Sequence, residues 1–448
     1  MTFLVTFIIP FLIVLGVLIF VHEFGHFIVA KLLGVRVEKF SLGFGPRLLG
    51  ITRGDTEYRI SLLPLGGYVK LAGEEPGEAL RHDRTEFSSR SVRDRAKIVL
   101  AGPLMNMILP FLLFPLVFML GTEVPAYLKE APIVGWIEPH SAAETAGIQR
   151  GDRIAEVNGR PVNNWGELEN LVATNPKSTM EIGVVRGSQR LEKQLAPEQD
   201  EKYGIGYAGL LRQIDPVVGY LSPGYPAEKA GLQVGDRIVE IAGVPVYHWN
   251  QVSQLLEQHG DKTVTVVVLR RNQTLSVPLE PRVEETNGQR RPVIGISLIT
   301  KTITEQYGPI QALVKGTKKV FEVTGLTLYV LKKLVSAQLS VKTLGGPIMI
   351  AQATSQAAAS GAANLLFFIA FLSINLAIIN IIPIPILDGG HLLFLSIEAI
   401  RGKPIEVKKM EIAQQVGMAA LLLLMVIVTY NDIQRLLPED LMRFLPWK

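Results

Sequence analysis

Residues 3–30 are apolar and long enough to cross a bilayer, yet His22-Glu23-Phe24-Gly25-His26 stands inside them. On a helix, residues four apart share a face. His22 and His26 therefore present two imidazoles to one metal, with Glu23 beside them as a base. Ionisable groups within a hydrophobic span are costly, so this pattern predicts a metal site rather than side chains of no catalytic role. The stretch lacks the basic start and small-residue cleavage site of a secretory signal, and is expected to be retained.

Three further stretches, residues 98–121, 364–387 and 412–430, are long enough to span. Lys31, Arg36, Lys39, Arg47, Arg90, Arg93, Arg95 and Lys97 lie between the first and second, and Arg401, Lys403, Lys408 and Lys409 between the third and fourth. The excess of basic residues makes both loops cytoplasmic. Both termini and the long segment from about 122 to 363 then lie outside, and the histidine pair falls toward the cytoplasmic side. A mean hydropathy of +0.29 with 19% charged residues agrees with spans joined to a large aqueous part. The net charge of +4 comes without a basic run interleaved with aromatics, which argues against nucleic acid. With no cysteine in the chain, thiolate ligands and disulfides are excluded.

The outer segment repeats itself. Residues 135–171 align with residues 219–255 without a gap, matching at 17 of 37 positions. The shared Ala-Gly (Ala146-Gly147, Ala230-Gly231), Gly-Asp-Arg-Ile (Gly151 to Ile154, Gly235 to Ile238) and Gly-x-Pro-Val (Gly159 to Val162, Gly243 to Val246) strings resemble PDZ domains. Each run leads into an expected helix near Trp165 or Trp249, and alternating strands such as 263–269 complete a β-rich module whose open edge suits strand addition. By resemblance to bacterial PDZ domains in permuted order, the carboxylate-binding loops fall at Tyr203-Gly204-Ile205-Gly206 and Val293-Ile294-Gly295-Ile296. A second reading is that these glycines only make tight turns.

A second polar cluster closes the third span. After Asn375 and Asn380 come Pro383 and Pro385, then Leu387-Asp388-Gly389-Gly390-His391. Two prolines break the helix, and broken backbone at membrane depth is tolerated only where protein or a water-filled cavity satisfies it. Asp388 supplies the hard oxygen ligand that two histidines lack, or else caps the segment that begins at His391. His391 itself reads as an interfacial histidine facing water.

The His22–His26 motif, the Asn-x-x-Pro-x-Pro-x-Leu-Asp-Gly string from Asn380 to Gly389 and the paired repeats together resemble the bacterial site-2 proteases, of the regulator-of-sigma-E protease type. The resemblance covers essentially the whole chain. It implies a polytopic α-helical membrane protein, with four transmembrane helices around a metalloprotease core and two inserted tandem β-rich PDZ domains. Implied divisions are a membrane core over 1–121, PDZ domains over 127–214 and 215–298, an amphipathic interfacial helix and linker over 299–363, and the remaining core over 364–448. His22, His26 and Asp388 would hold one Zn2+, Glu23 would be the catalytic base, and Asn380, with Asn375, Pro383 and Pro385, would hold substrate. The implied setting is the bacterial inner membrane, with anti-sigma factors and remnant signal peptides as single-span substrates and an upstream site-1 protease acting on the same substrate.

A transmembrane substrate hides each peptide bond in its own helix, so local unwinding is required. Residues 57–63 alternate like a strand, residues 64–67 turn, and residues 68–71 return. A hairpin carrying Gly66, Gly67 and Tyr68 is expected to hold the unwound segment by its exposed edge. Gly43-Phe44-Gly45 resembles a family motif that dips into the bilayer, or is a glycine-rich turn. Asn106, within Gly102-Pro103-Leu104-Met105-Asn106, matches the family's pattern in the second span, or makes a packing hydrogen bond between helices. Residues 309–340 read as an amphipathic helix at the membrane interface. The alternative classes are a non-catalytic PDZ scaffold with structural zinc and a zinc transporter. Glu23 and the open coordination position argue against the first, and one-sided clustering of polar residues against the second.

Overall fold

The computed structural model describes residues 4–74, 83–200, 203–286 and 289–436. It divides into two compact units. The first combines residues 1–122, 304–332 and 344–432; the second combines residues 123–303, 333–343 and 433–448.

The first unit is helical around one small sheet. Its elements are α1 (Ile9–Leu32), β1 (Val37–Arg53), β2 (Thr56–Leu71), α2 (Val92–Leu120), α3 (Pro309–Val335), α4 (Pro347–Ala359), α5 (Ala362–Ile381), α6 (Asp388–Arg401) and α7 (Val407–Leu436). Among the described residues four helices are long and apolar enough to cross a membrane, namely Thr6–Leu32, Val92–Leu120, Ala362–Ile381 and Val407–Arg435. The third is shorter than expected: α5 stops at Ile381, before the two prolines. Close approach of α1 to α2 depends on Gly25, where any side chain would strike the Ala101 carbonyl.

Three prolines, Pro103, Pro110 and Pro115, lie within α2. Each lacks the N–H that would bond the carbonyl four residues earlier, so each releases one main-chain acceptor. Another helix takes up one of these: the Ser373 hydroxyl of α5 donates to the Asn106 carbonyl at 2.6 Å. Pro115 also receives Gly316 of α3, which has no room for a side chain there. Thus α3 rests on α2 and α5 through Gly316, Val320 and Val323. Within the expected amphipathic helix, large apolar residues such as Ile310, Leu313 and Phe321 stay exposed. Small residues decide the contact because they let the backbones approach.

The loop between the first two spans is not a simple hairpin. Residues 37–42 of β1 pair antiparallel on one side with residues 67–71 of β2 and, in rising register, on the other with residues 57–60; residues 47–53 then pair antiparallel with residues 56–61. Residues 68–71 therefore do not return beside residues 57–63, because the first half of β1 lies between them. Gly43 and Gly45, both at positive φ, bend β1 so that its second half can add outside. The sheet is anchored where Val37 and Leu71 share a buried cluster with Ala30 of α1 and Ile98 of α2.

In the second unit the repeat is structural as well as sequential. Residues 153–157, 160–161, 180–186 and 189–195 form a four-stranded antiparallel sheet, and the strands 84 residues later form another with the same order. Each sheet has its own buried apolar core, with Trp165–Ala173 or Trp249–His259 as its helix. The repeated aspartates have the same duty in both. Asp152 accepts two hydrogen bonds from Arg186, at 2.7 and 2.8 Å, and Asp236 two from Arg270, at 2.7 and 2.6 Å. Burial pushes both carboxyls up, but the paired guanidinium and a backbone N–H outweigh it and hold them below the usual carboxylate range. The two repeats are joined by buried His248, whose Nε2 lies 2.9 Å from the Arg212 carbonyl and whose ring stacks on Trp136.

Candidate metal centre

α1 brings His22 and His26 onto one face, with ring centroids 4.9 Å apart. Asp388 arrives from the far end of the chain, and local sequence explains how. Pro383 and Pro385 keep residues 382–387 out of helix, and α6 restarts at Asp388. Gly389 and Gly390 then pack so tightly on the backbone of residues 381–385 that a Cβ at either would collide with carbonyl groups. An ion pair of 2.5 Å between Arg95 of α2 and Glu398 ties down the other end of α6.

The three side chains converge. His22 Nε2 lies 3.3 Å from His26 Nε2, and Asp388 Oδ2 lies 3.1 and 3.6 Å from the two nitrogens. A tetrahedral site with bonds of about 2.0–2.1 Å has ligand–ligand edges of roughly 3.3 Å, so the triangle has the size zinc requires. These three residues form a group that could hold a metal ion. Asp388 Oδ2 is buried without a hydrogen-bond partner among the described residues. A buried carboxylate oxygen facing two imidazole nitrogens needs a cation, and the donor set fits zinc with a fourth position left open.

Sequence reasoning missed two parts of this site. His26 Nδ1 lies 2.8 Å from the Ile98 carbonyl, which accepts a hydrogen bond from Nδ1–H and so leaves the Nε2 lone pair for a metal. Gly102, one turn along α2, faces both rings and leaves the space they occupy. The usable signal was spacing, since 98, 102 and 106 lie on one face of α2.

The remaining expected residues are distributed as follows. Gly67 lies against α1, where a Cβ would stand 3.2 Å from Glu23 Cγ, so the segment Gly66-Gly67-Tyr68 runs beside Glu23. Tyr68 stacks on Phe44 with centroids 6.1 Å apart. Asn380 is half-buried and has no side-chain hydrogen bond among the described residues. Asn375 is engaged elsewhere: its Nδ2 donates to the Phe371 carbonyl at 2.8 Å, and its Oδ1 accepts from Thr327 of α3 at 3.2 Å. Pro383 is exposed, whereas Pro385 packs on Gly417 of α7. His391 is not in the ligand triangle and lines a groove of about 590 Å³ with Glu411, Gln414 and Gln415.

The two expected peptide loops are not equivalent positions. In the second repeat the Ile294 and Gly295 carbonyls accept from Ala227 and Ser222. Their counterparts in the first repeat are the Ala208 and Gly209 carbonyls, which accept from Ala143 and Glu138. Gly204-Ile205-Gly206 precedes that position and forms a separate turn, in which Asp200 accepts from Tyr203 and Gly204. The spacing between the repeats grows from 84 to 86 before the last strand, so a fixed offset could not find the match.

The sequence profile of Peptidase family M50 matches residues 10–424. The regulator of sigma-E protease RseP of Salmonella typhimurium (strain 14028s / SGSC 2262) is 38% identical over 449 residues, covering 95% of this chain and 98% of its own. RseP of Escherichia coli K12 is 37% identical with the same coverage. A candidate zinc metalloprotease of Neisseria meningitidis serogroup A is 36% identical, again across 95% and 98% of the two chains.

Proposed function

The chain belongs to peptidase family M50 and is a metalloprotease, and from that premise we propose that it cuts single-span membrane proteins within the bilayer, near its cytoplasmic face, using one zinc ion. The observation that carries this reading is the triangle of His22, His26 and Asp388 among apolar helices, with Glu23 one residue from the first ligand. Bound there, zinc would polarise the scissile carbonyl and acidify a water molecule. Glu23 takes the proton from that water and returns it to the departing amide nitrogen, serving as base and then as acid. Residues 66–68 hold the unwound substrate by strand addition beside Glu23, with Asn380 and Pro383 as further substrate contacts; Asn375 and Pro385, engaged with α3 and α7, take no part in this reading.

In this proposal both termini and the repeats face the extracytoplasmic side of a bacterial inner membrane, in keeping with the basic loops. The repeats are two PDZ domains, over 127–214 and 215–298. They filter substrates by excluding bulky outer domains, and admit those that an upstream protease has trimmed. The natural substrates are anti-sigma factors, as the names of the sigma-E relatives suggest, together with remnant signal peptides.

The test uses purified protein in lipid with a panel of single-span substrates, with and without chelator. Glu23→Gln should retain zinc and lose cleavage by at least about a hundredfold, because an amide cannot take the proton. Asp388→Ala should lose zinc as well. Full turnover by Glu23→Gln would remove Glu23 from the chemistry.

A further inference from the structure

We propose that Asn106 is the positioning residue for His22, accepting a hydrogen bond from its Nδ1–H and so keeping its Nε2 lone pair on the metal. The inference rests on the metalloprotease reading and extends it to a residue outside the ligand set.

Asn106 is wholly buried in α2, and its side-chain amide lies 3.3 Å from His22 Nδ1. As placed, Nδ2 faces the ring, while Oδ1 is buried without a partner among the described residues. A half-turn of the amide exchanges the two atoms at no change of shape. Metal binding through Nε2 decides between the orientations, because it puts the His22 proton on Nδ1, where it needs an acceptor. With Oδ1 toward the ring, the orphaned oxygen and that proton satisfy each other.

The arrangement mirrors the other histidine. His26 donates a hydrogen bond from Nδ1–H to the Ile98 carbonyl, and Ile98 and Asn106 lie eight residues apart, about two turns along one face of α2, with Gly102 between them. Asn106 is also held in place. Pro110 has no N–H for the Asn106 carbonyl, and Ser373 of α5, itself fully buried, takes it instead. A proline, an asparagine and a serine on two spans thus fix the amide at hydrogen-bonding distance from a metal ligand.

The experiment measures zinc affinity of the full-length protein by competition with a chelator, with the thermal midpoint of each chelated variant as a check on folding. Asn106→Ala and the near-isosteric Asn106→Leu should bind zinc about 10–100-fold more weakly, the range for loss of an outer-shell partner. Asn106→Asp, which can only accept, should restore affinity to within about threefold. A residue that merely bonded two helices would change the midpoint and not this pattern. If the Asn106→Leu variant binds zinc as wild type does, or if Asn106→Asp is as weak as Asn106→Leu, the assignment is wrong. Failure of wild type to bind zinc would instead overturn the metalloprotease reading and this inference with it.

Discussion

Gly102→Ala is the most severe test of the site, because it adds one carbon and removes nothing. An ideal Cβ at position 102 would collide first with His26 Nε2, and would stand 2.6 Å from His26 Cε1 and 2.9 Å from His22 Cε1, where ordinary contact begins at 3.4 Å. The rings must therefore retreat by at least about 0.8 and 0.5 Å, and His26 Nε2 by more than its Cε1, whereas metal–ligand distances tolerate only about 0.2 Å. His26 cannot swing aside without giving up the Ile98 carbonyl. Overpacking of this kind costs about 1–3 kcal/mol, so the protein should still fold while zinc affinity falls by about a hundredfold or more. Zinc content of the purified protein, measured by elemental analysis beside thermal unfolding in detergent, reads both effects. In a His22→Ala, His26→Ala background the added methyl meets no ring and should cost almost no stability. Wild-type zinc affinity in the single variant, or an undiminished stability loss in the triple variant, would refute the packing argument.

Asp432 accepts main-chain N–H groups from Gly346, Ile348 and Met349 at 3.0–3.1 Å, fastening the start of α4 to the end of α7. Replacing it by alanine should destabilise the protein by about 2 kcal/mol or more, read as a lowered unfolding midpoint with zinc affinity preserved. Deleting residues 127–298 and rejoining the chain through a flexible linker should preserve Glu23-dependent cleavage while making untrimmed substrates cuttable. A stable deletion protein that still rejects them would place selection in the membrane helices.

What sequence alone determined is whatever depends on spacing along one element. His22 and His26 meet because a helix turns every 3.6 residues, and the spans follow from the length of apolar runs. The sheets of the two repeats follow their shared pattern down to the strand. The break before Asp388 was legible because proline cannot continue a helix, and a carboxylate was expected on chemical grounds since two imidazoles leave a zinc site incomplete.

Tertiary structure alone decided how distant segments meet. It lays residues 37–42 between the two halves of β2, where local alternation suggested a plain hairpin, because strand pairing is set by partners that pattern does not name. It gives Asn375 to Thr327 of α3, and it matches Gly295 with Gly209 across a two-residue insertion. It also shows why α2 carries Gly102, Asn106 and Pro110. One makes room for the rings, one faces His22, and one frees a carbonyl for Ser373, and each role is visible only once the partner is in place.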